Sequence, residues 1–177
     1  MTTHTLPLQT RLARVDRAST NAESRTLDVV WSTGAQVRRY DWWQDREFYE
    51  ELDLRGANLD RLNSGAPVLN SHASYDLSNV IGVVERASVD GSEGRATIRL
   101  SERADVDPIW SDLQAGILRN ISVGYSIEKM ERSRDAADRE LVRVTAFTPM
   151  ELSIVAVPAD ARAQVRGSQP EYPVTLS

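Results

Sequence analysis

Among the residues able to do chemistry, a serine, a histidine and a carboxylate stand out. Ser122 sits in Leu118-Arg119-Asn120-Ile121-Ser122-Val123-Gly124-Tyr125-Ser126-Ile127, His72 follows Asn70-Ser71, and Glu151 opens Glu151-Leu152-Ser153-Ile154-Val155. A serine hydroxyl is a weak nucleophile until a base removes its proton. Histidine titrates near neutrality and suits that task. A carboxylate behind the imidazole orients it and stabilises the imidazolium. Together the three make the working parts of an acyl-transfer site. Each also has a plain alternative: Ser122 as a serine on the wet face of a strand, His72 as an inert loop histidine, Glu151 as an exposed strand start. The residues alone leave these open.

The local patterns say what must hold the three in place. Ser122, Gly124 and Ser126 share one face of an alternating strand, opposite Ile121, Val123 and Tyr125. The small residues Ser122 and Gly124 leave room for a substrate carbonyl. A helix is expected just before it, over 105–118, with Asp107 as N-cap, Pro108 at the first helical position and Ile109, Leu113 and Ile117 recurring on one face. Pro67-Val68-Leu69 reads as a short strand leading into the His72 loop, whose flanks Asn70, Ser71, Ala73 and Ser74 are small and polar. Glu151 and Ser153 face one way on a strand running to Val157, and Pro149 marks a corner between that strand and another over 140–147.

Elsewhere, Leu27, Val29 and Trp31 line a strand face, and 80–89 and 95–100 form a hairpin across Asp90-Gly91-Ser92-Glu93-Gly94. The acidic, aromatic stretch 41–54, with Trp42, Trp43, Phe48 and Tyr49, reads as a surface loop or as a wall beside a substrate. Helical spacing follows over 54–63. The domain is therefore mostly β with helices (α+β), about seven or eight short strands, in one unit over 11–166. Residues 1–10 read as a flexible N-terminus and 167–177 as a polar tail or linker.

Composition narrows the function classes. No cysteine is present, which removes disulfides, thiolate catalysis and cysteine-based zinc sites. Two histidines do not make a histidine-rich metal site, and no cofactor is implied. A net charge of −5 disfavours nucleic acid, so a nucleic-acid-binding β-barrel is the weakest reading. No apolar run reaches the ~20 residues of a membrane span, and 1–10 lack a signal-peptide layout, so a soluble chain made in a cytoplasm is expected.

The segments 67–72, 80–84, 113–125 and 151–163 resemble the prohead maturation proteases of tailed bacteriophages, the similarity covering roughly residues 10–165. That family is similar in fold to the herpesvirus assemblin proteases, a barrel of about seven strands surrounded by helices. The resemblance implies a serine endopeptidase with Ser122 as nucleophile, His72 as general base and Glu151 in the third place. Many relatives follow the histidine with aspartate; here Ala73 follows and Asp76 is the first aspartate, which leaves Asp76 as a second candidate to orient His72. By the same likeness, backbone amides around 159–162 are candidate oxyanion donors. The implied substrates are the internal scaffold, the N-terminal segment of the major capsid protein and the protease itself, inside an immature procapsid in the host cytoplasm or from a prophage. Self-association and activation by concentration in the shell are further expectations. A non-enzymatic capsid-assembly module on the same fold is the alternative.

Overall fold

The computed structural model describes residues 3–7, 9–41, 44–156 and 171–176, with side chains described over 19–41 and 44–156. Trp42, Trp43 and the candidate oxyanion segment 159–162 lie outside them. Among the described residues eleven strands form one sheet: β1 (Thr3–Pro7), β2 (Gln9–Asn21), β3 (Thr26–Ser32), β4 (Val37–Asp41), β5 (Arg46–Leu52), β6 (Pro67–Asn70), β7 (Val80–Asp90), β8 (Glu93–Leu100), β9 (Asn120–Arg134), β10 (Glu140–Ile154) and β11 (Glu171–Leu176). The α-helices among the described residues are α1 (Asp60–Asn63) and α2 (Asp107–Ala115). The protein is mostly β with few helices.

The pairings curl the sheet strongly. From β9 they run through β2, β3, β8, β7, β6 and β10, and β10 pairs with β9 again. Alternation drives much of this: on β8, Ala96, Ile98 and Leu100 are buried while Arg95 and Arg99 point outward. The β7–β8 hairpin turns on Gly91 at φ +58°, a left-handed conformation that glycine adopts without a Cβ penalty. The core gathers Trp31, Leu62, Ile98, Leu113, Ile121, Tyr125, Phe147 and Leu152, all almost wholly buried. Among the described residues no helix is long and apolar enough to cross a membrane.

Four local expectations change. The helix expected over 54–63 is a 3-10 turn (Leu54–Gly56) and the short α1, because the backbone there bonds to β10 instead: Asp53 N–H to the Val144 carbonyl and Asn58 N–H to the Phe147 carbonyl, each 2.9 Å. The stretch expected as a loop over 41–54 is largely the β4–β5 hairpin, with β5 parallel to β10. Thr3–Pro7 and Glu171–Leu176, at the two ends, pair as antiparallel strands, and β11 also pairs with β9. Finally, the two strands expected on either side of Pro149 are one strand, β10, with a bulge.

That bulge matters for the site. Proline has no N–H to give the ladder, so pairing is interrupted beside it. Pro149 lies opposite Tyr125, Met150 is skipped, and Glu151 lies opposite Gly124, with Ser153 opposite Ser122. Were the ladder to run on past Pro149 without this shift, Met150 would pair with Gly124, and Glu151 would pair with Val123 and point to the other face. The bulge puts Glu151 on the face of Ser122.

Candidate active site

Helix α2 sets the start of β9. It ends at Gly116, which takes φ +72° as its left-handed C-cap, and Ile117 and Leu118 both donate backbone N–H bonds to the Asp112 carbonyl, at 2.8 and 3.1 Å. Asp107 is the first residue of the helix rather than its cap, and its carboxylate pairs with Arg25 at 2.7 Å. The chain then enters β9 at Asn120, between β2 and β10, so that Ser122 stands opposite Leu12 on one side and Ser153 on the other. The face expected to be wet is buried: Ser122 is 0% exposed and Ser126 8%. Small side chains left that face open to close cover as readily as to solvent.

His72 enters from the end of β6. Strand β6 runs parallel to β10, and Ser71 continues the ladder with an N–H bond to the Ile154 carbonyl at 2.9 Å. Ser71 and His72 then both take positive φ, +55° and +61°. Left-handed backbone costs a non-glycine residue about 1–2 kcal/mol, so two in succession persist only where surrounding contacts hold them. They turn the imidazole onto β10. Its Nδ1 lies 2.6 Å from Glu151 Oε1, and Glu151 is buried. Glu151 Oε2 accepts a bond from the Ser153 hydroxyl at 2.5 Å, and the Ser153 oxygen accepts one from the His72 backbone N–H at 3.1 Å.

Two atoms complete the geometry. His72 Nε2 and Ser122 Oγ are both buried and have no hydrogen-bond partner among the described residues. One is a potential acceptor and the other a hydroxyl donor. Asp76 is engaged elsewhere: it is exposed, and its carboxylate accepts the Ser78 N–H and the Ser78 hydroxyl, each at 2.8 Å, which holds its pKa below the ordinary carboxylate value. The acid that bonds to His72 is Glu151.

A family model, described as the Caudovirus prohead serine protease, matches residues 35–174. The chain belongs to that family. It is 36% identical over 131 residues to the major capsid protein of Halomonas phage phiHAP-1, a match covering 72% of this chain and 22% of that protein. The chain thus spans far less than the length of that relative. It is also similar to the capsid assembly protease of bacteriophage T4, with a TM-score of 0.46 and 12% identity, covering 86% of this chain and 98% of the other.

Sequence reasoning missed two parts of this neighbourhood. Ser153 looked like one more strand serine, although its position two residues after Glu151 on the same face was a usable signal. On the opposite face of β9, the Tyr125 hydroxyl bonds to Glu50 Oε1, and Arg39 reaches both, with Nη2 at 3.1 Å from Glu50 Oε1 and 3.0 Å from the Tyr125 oxygen. Arg39 and Glu50 are buried and come from β4 and β5. Burial would lower the Arg39 pKa, but the charge of Glu50 and the bonds to Glu50 and Tyr125 outweigh it and hold the pKa above the ordinary arginine value.

Proposed function

We propose that this chain is a serine endopeptidase of phage capsid maturation, with Ser122 as nucleophile, His72 as general base and Glu151 as orienting acid. The observation that carries the reading is the 2.6 Å bond from His72 Nδ1 to the buried Glu151, which leaves Nε2 as the ring's unpartnered nitrogen on the described side of the site. In the reaction Ser122 Oγ attacks the scissile carbonyl carbon and Nε2 takes its proton. Glu151 stabilises the imidazolium without itself taking the proton. Collapse of the tetrahedral adduct breaks the C–N bond, with Nε2 returning the proton to the leaving amine. Water then enters, gives a proton to Nε2 and hydrolyses the acyl-enzyme. The family's fold supports reading the curled sheet as an assemblin-like barrel of seven strands, β9–β2–β3–β8–β7–β6–β10, within the protease domain 11–166.

The substrates in this reading are scaffold and capsid polypeptides inside the procapsid, and the chain itself. A capsid protein of which the matching stretch is 22% supports a protease made as part of a longer capsid precursor and released by cleavage. Co-expression with scaffold and capsid protein, read by intact mass, tests it. Wild type trims them and Ser122→Ala does not; equal processing by both sinks the proposal.

A second reading, a non-enzymatic assembly module, is favoured by one observation: Ser122 Oγ is fully buried and makes no bond to His72 in this structure. In the peptidase reading this is a closed state that substrate must open. Geometry in substrate-free sites is commonly loose. The same co-expression separates the two.

A further inference from the structure

We propose that Ser153 is the positioning residue of the site, its hydroxyl fixing the Glu151 carboxylate and the left-handed turn of His72 at once. The inference rests on reading His72 as the base. Ser153 is 0% exposed, so its bonds are made out of competition with water. Its oxygen accepts the His72 backbone N–H at 3.1 Å, and its single proton goes to Glu151 Oε2 at 2.5 Å. The first bond pins the second of two consecutive residues at positive φ, where the backbone itself resists. The second turns the carboxylate so that Oε1 meets Nδ1.

A proton pattern follows. With Oε2 taken by the serine hydroxyl, the carboxylate meets the ring as an acceptor at Oε1, so Nδ1 carries the ring proton. The neutral imidazole then presents a bare lone pair at Nε2, the state a general base needs before Ser122 is deprotonated. Ser153 therefore selects the tautomer without touching substrate. The sheet register carries it there, since Ser153 is the cross-strand partner of Ser122.

The test uses the full chain labelled with ¹⁵N-histidine. Only His4 and His72 report, and His4→Gln assigns the pair. In wild type the His72 ring shows one tautomer, protonated at Nδ1, with a low-field Nδ1 proton. Ser153→Ala mixes the tautomers and loses that resonance. A fluorophosphonate probe reacts with Ser122 about 10- to 100-fold more slowly in the variant, the worth of one hydrogen bond to a charged group. Ser153→Cys keeps the shape with a weaker donor, moves both readouts less, and answers the question where the alanine variant does not fold. Either folded variant matching wild type in tautomer and probe rate overturns the inference. A wild-type chain inert to the probe, but whose ring still responds to Ser153, overturns the peptidase reading and leaves the positioning role standing.

Discussion

The Arg39–Glu50–Tyr125 cluster allows a perturbation whose size can be worked from the structure. Glu50→Gln keeps shape and removes the charge. At 3.1 Å and an effective dielectric near 20, the Arg39–Glu50 attraction is about 5 kcal/mol. The variant forfeits that term while Arg39, 8% exposed, stays desolvated and charged. Breaking one partner of such a pair costs about 3–5 kcal/mol, a large share of the ~5–15 kcal/mol that holds a typical domain together. Replacing both charges, as Arg39→Met with Glu50→Leu, removes the desolvation cost as well and is expected to be far milder than Glu50→Gln alone. Urea unfolding at constant m-value measures Glu50→Gln, and the Arg39→Met and Glu50→Leu singles with their double close a double-mutant cycle. A Glu50→Gln cost below about 1 kcal/mol, or a double variant worse than the single, would refute the reasoning. The sign with pH is also set. Because the folded pKa of Arg39 is raised, its contribution is fully present below the ordinary arginine range and is lost only as pH rises through the raised value. Arg39 therefore adds no slope between pH 5 and 9.

Four other outcomes follow from named contacts. Ser122→Ala is expected to abolish cleavage and yet raise the thermal midpoint or leave it unchanged, since it deletes a buried hydroxyl without a partner among the described residues, worth about 1 kcal/mol; calorimetry beside the cleavage assay checks both. Glu151→Gln should lower the rate by about 10³–10⁴ with the fold kept, whereas Asp76→Ala, whose carboxylate bonds to Ser78 instead, should leave the rate within about twofold; side-by-side kinetics on one capsid substrate decide it. Deleting Met150 removes the bulge but joins Pro149 directly to Glu151, which stays opposite Gly124, so Ser122 should keep its reactivity toward the fluorophosphonate probe. Gly94→Ala puts a Cβ 2.3 Å from the buried Trp31 ring and should cost about 1–3 kcal/mol in urea unfolding.

How much of this was legible in the sequence depended on whether a pattern was local. The β7–β8 hairpin was, because alternation and a glycine turn specify it without help. The family resemblance held, and of its segments those ending in His72 and beginning with Glu151 meet through the bond between these two residues. Glu50 and Arg39 were not legible as buried: in an acidic stretch charged residues read as solvated, and their burial is supported by their own ion pair and by the distant Tyr125. The covered face of β9 escaped for a related reason. Ser122, Gly124 and Ser126 are as compatible with a tight tertiary contact as with water, and alternation cannot tell these apart.

Pro149 shows how a correct local reading can carry the wrong consequence. Its missing N–H marked an interruption, and a corner between two strands was the natural inference. The interruption is a single extra residue, which keeps the strand continuous and changes its parity. That parity decides the chemistry, for it sets whether Glu151 meets His72 or points to the opposite face. The left-handed Ser71–His72 turn aims the imidazole, the bulge aims the carboxylate, and the Ser153 hydroxyl bonds to both the His72 backbone N–H and the Glu151 carboxylate. The turn, the bulge and the hydroxyl thus converge on His72, and the strain of the left-handed turn is repaid by the bonds the arrangement makes.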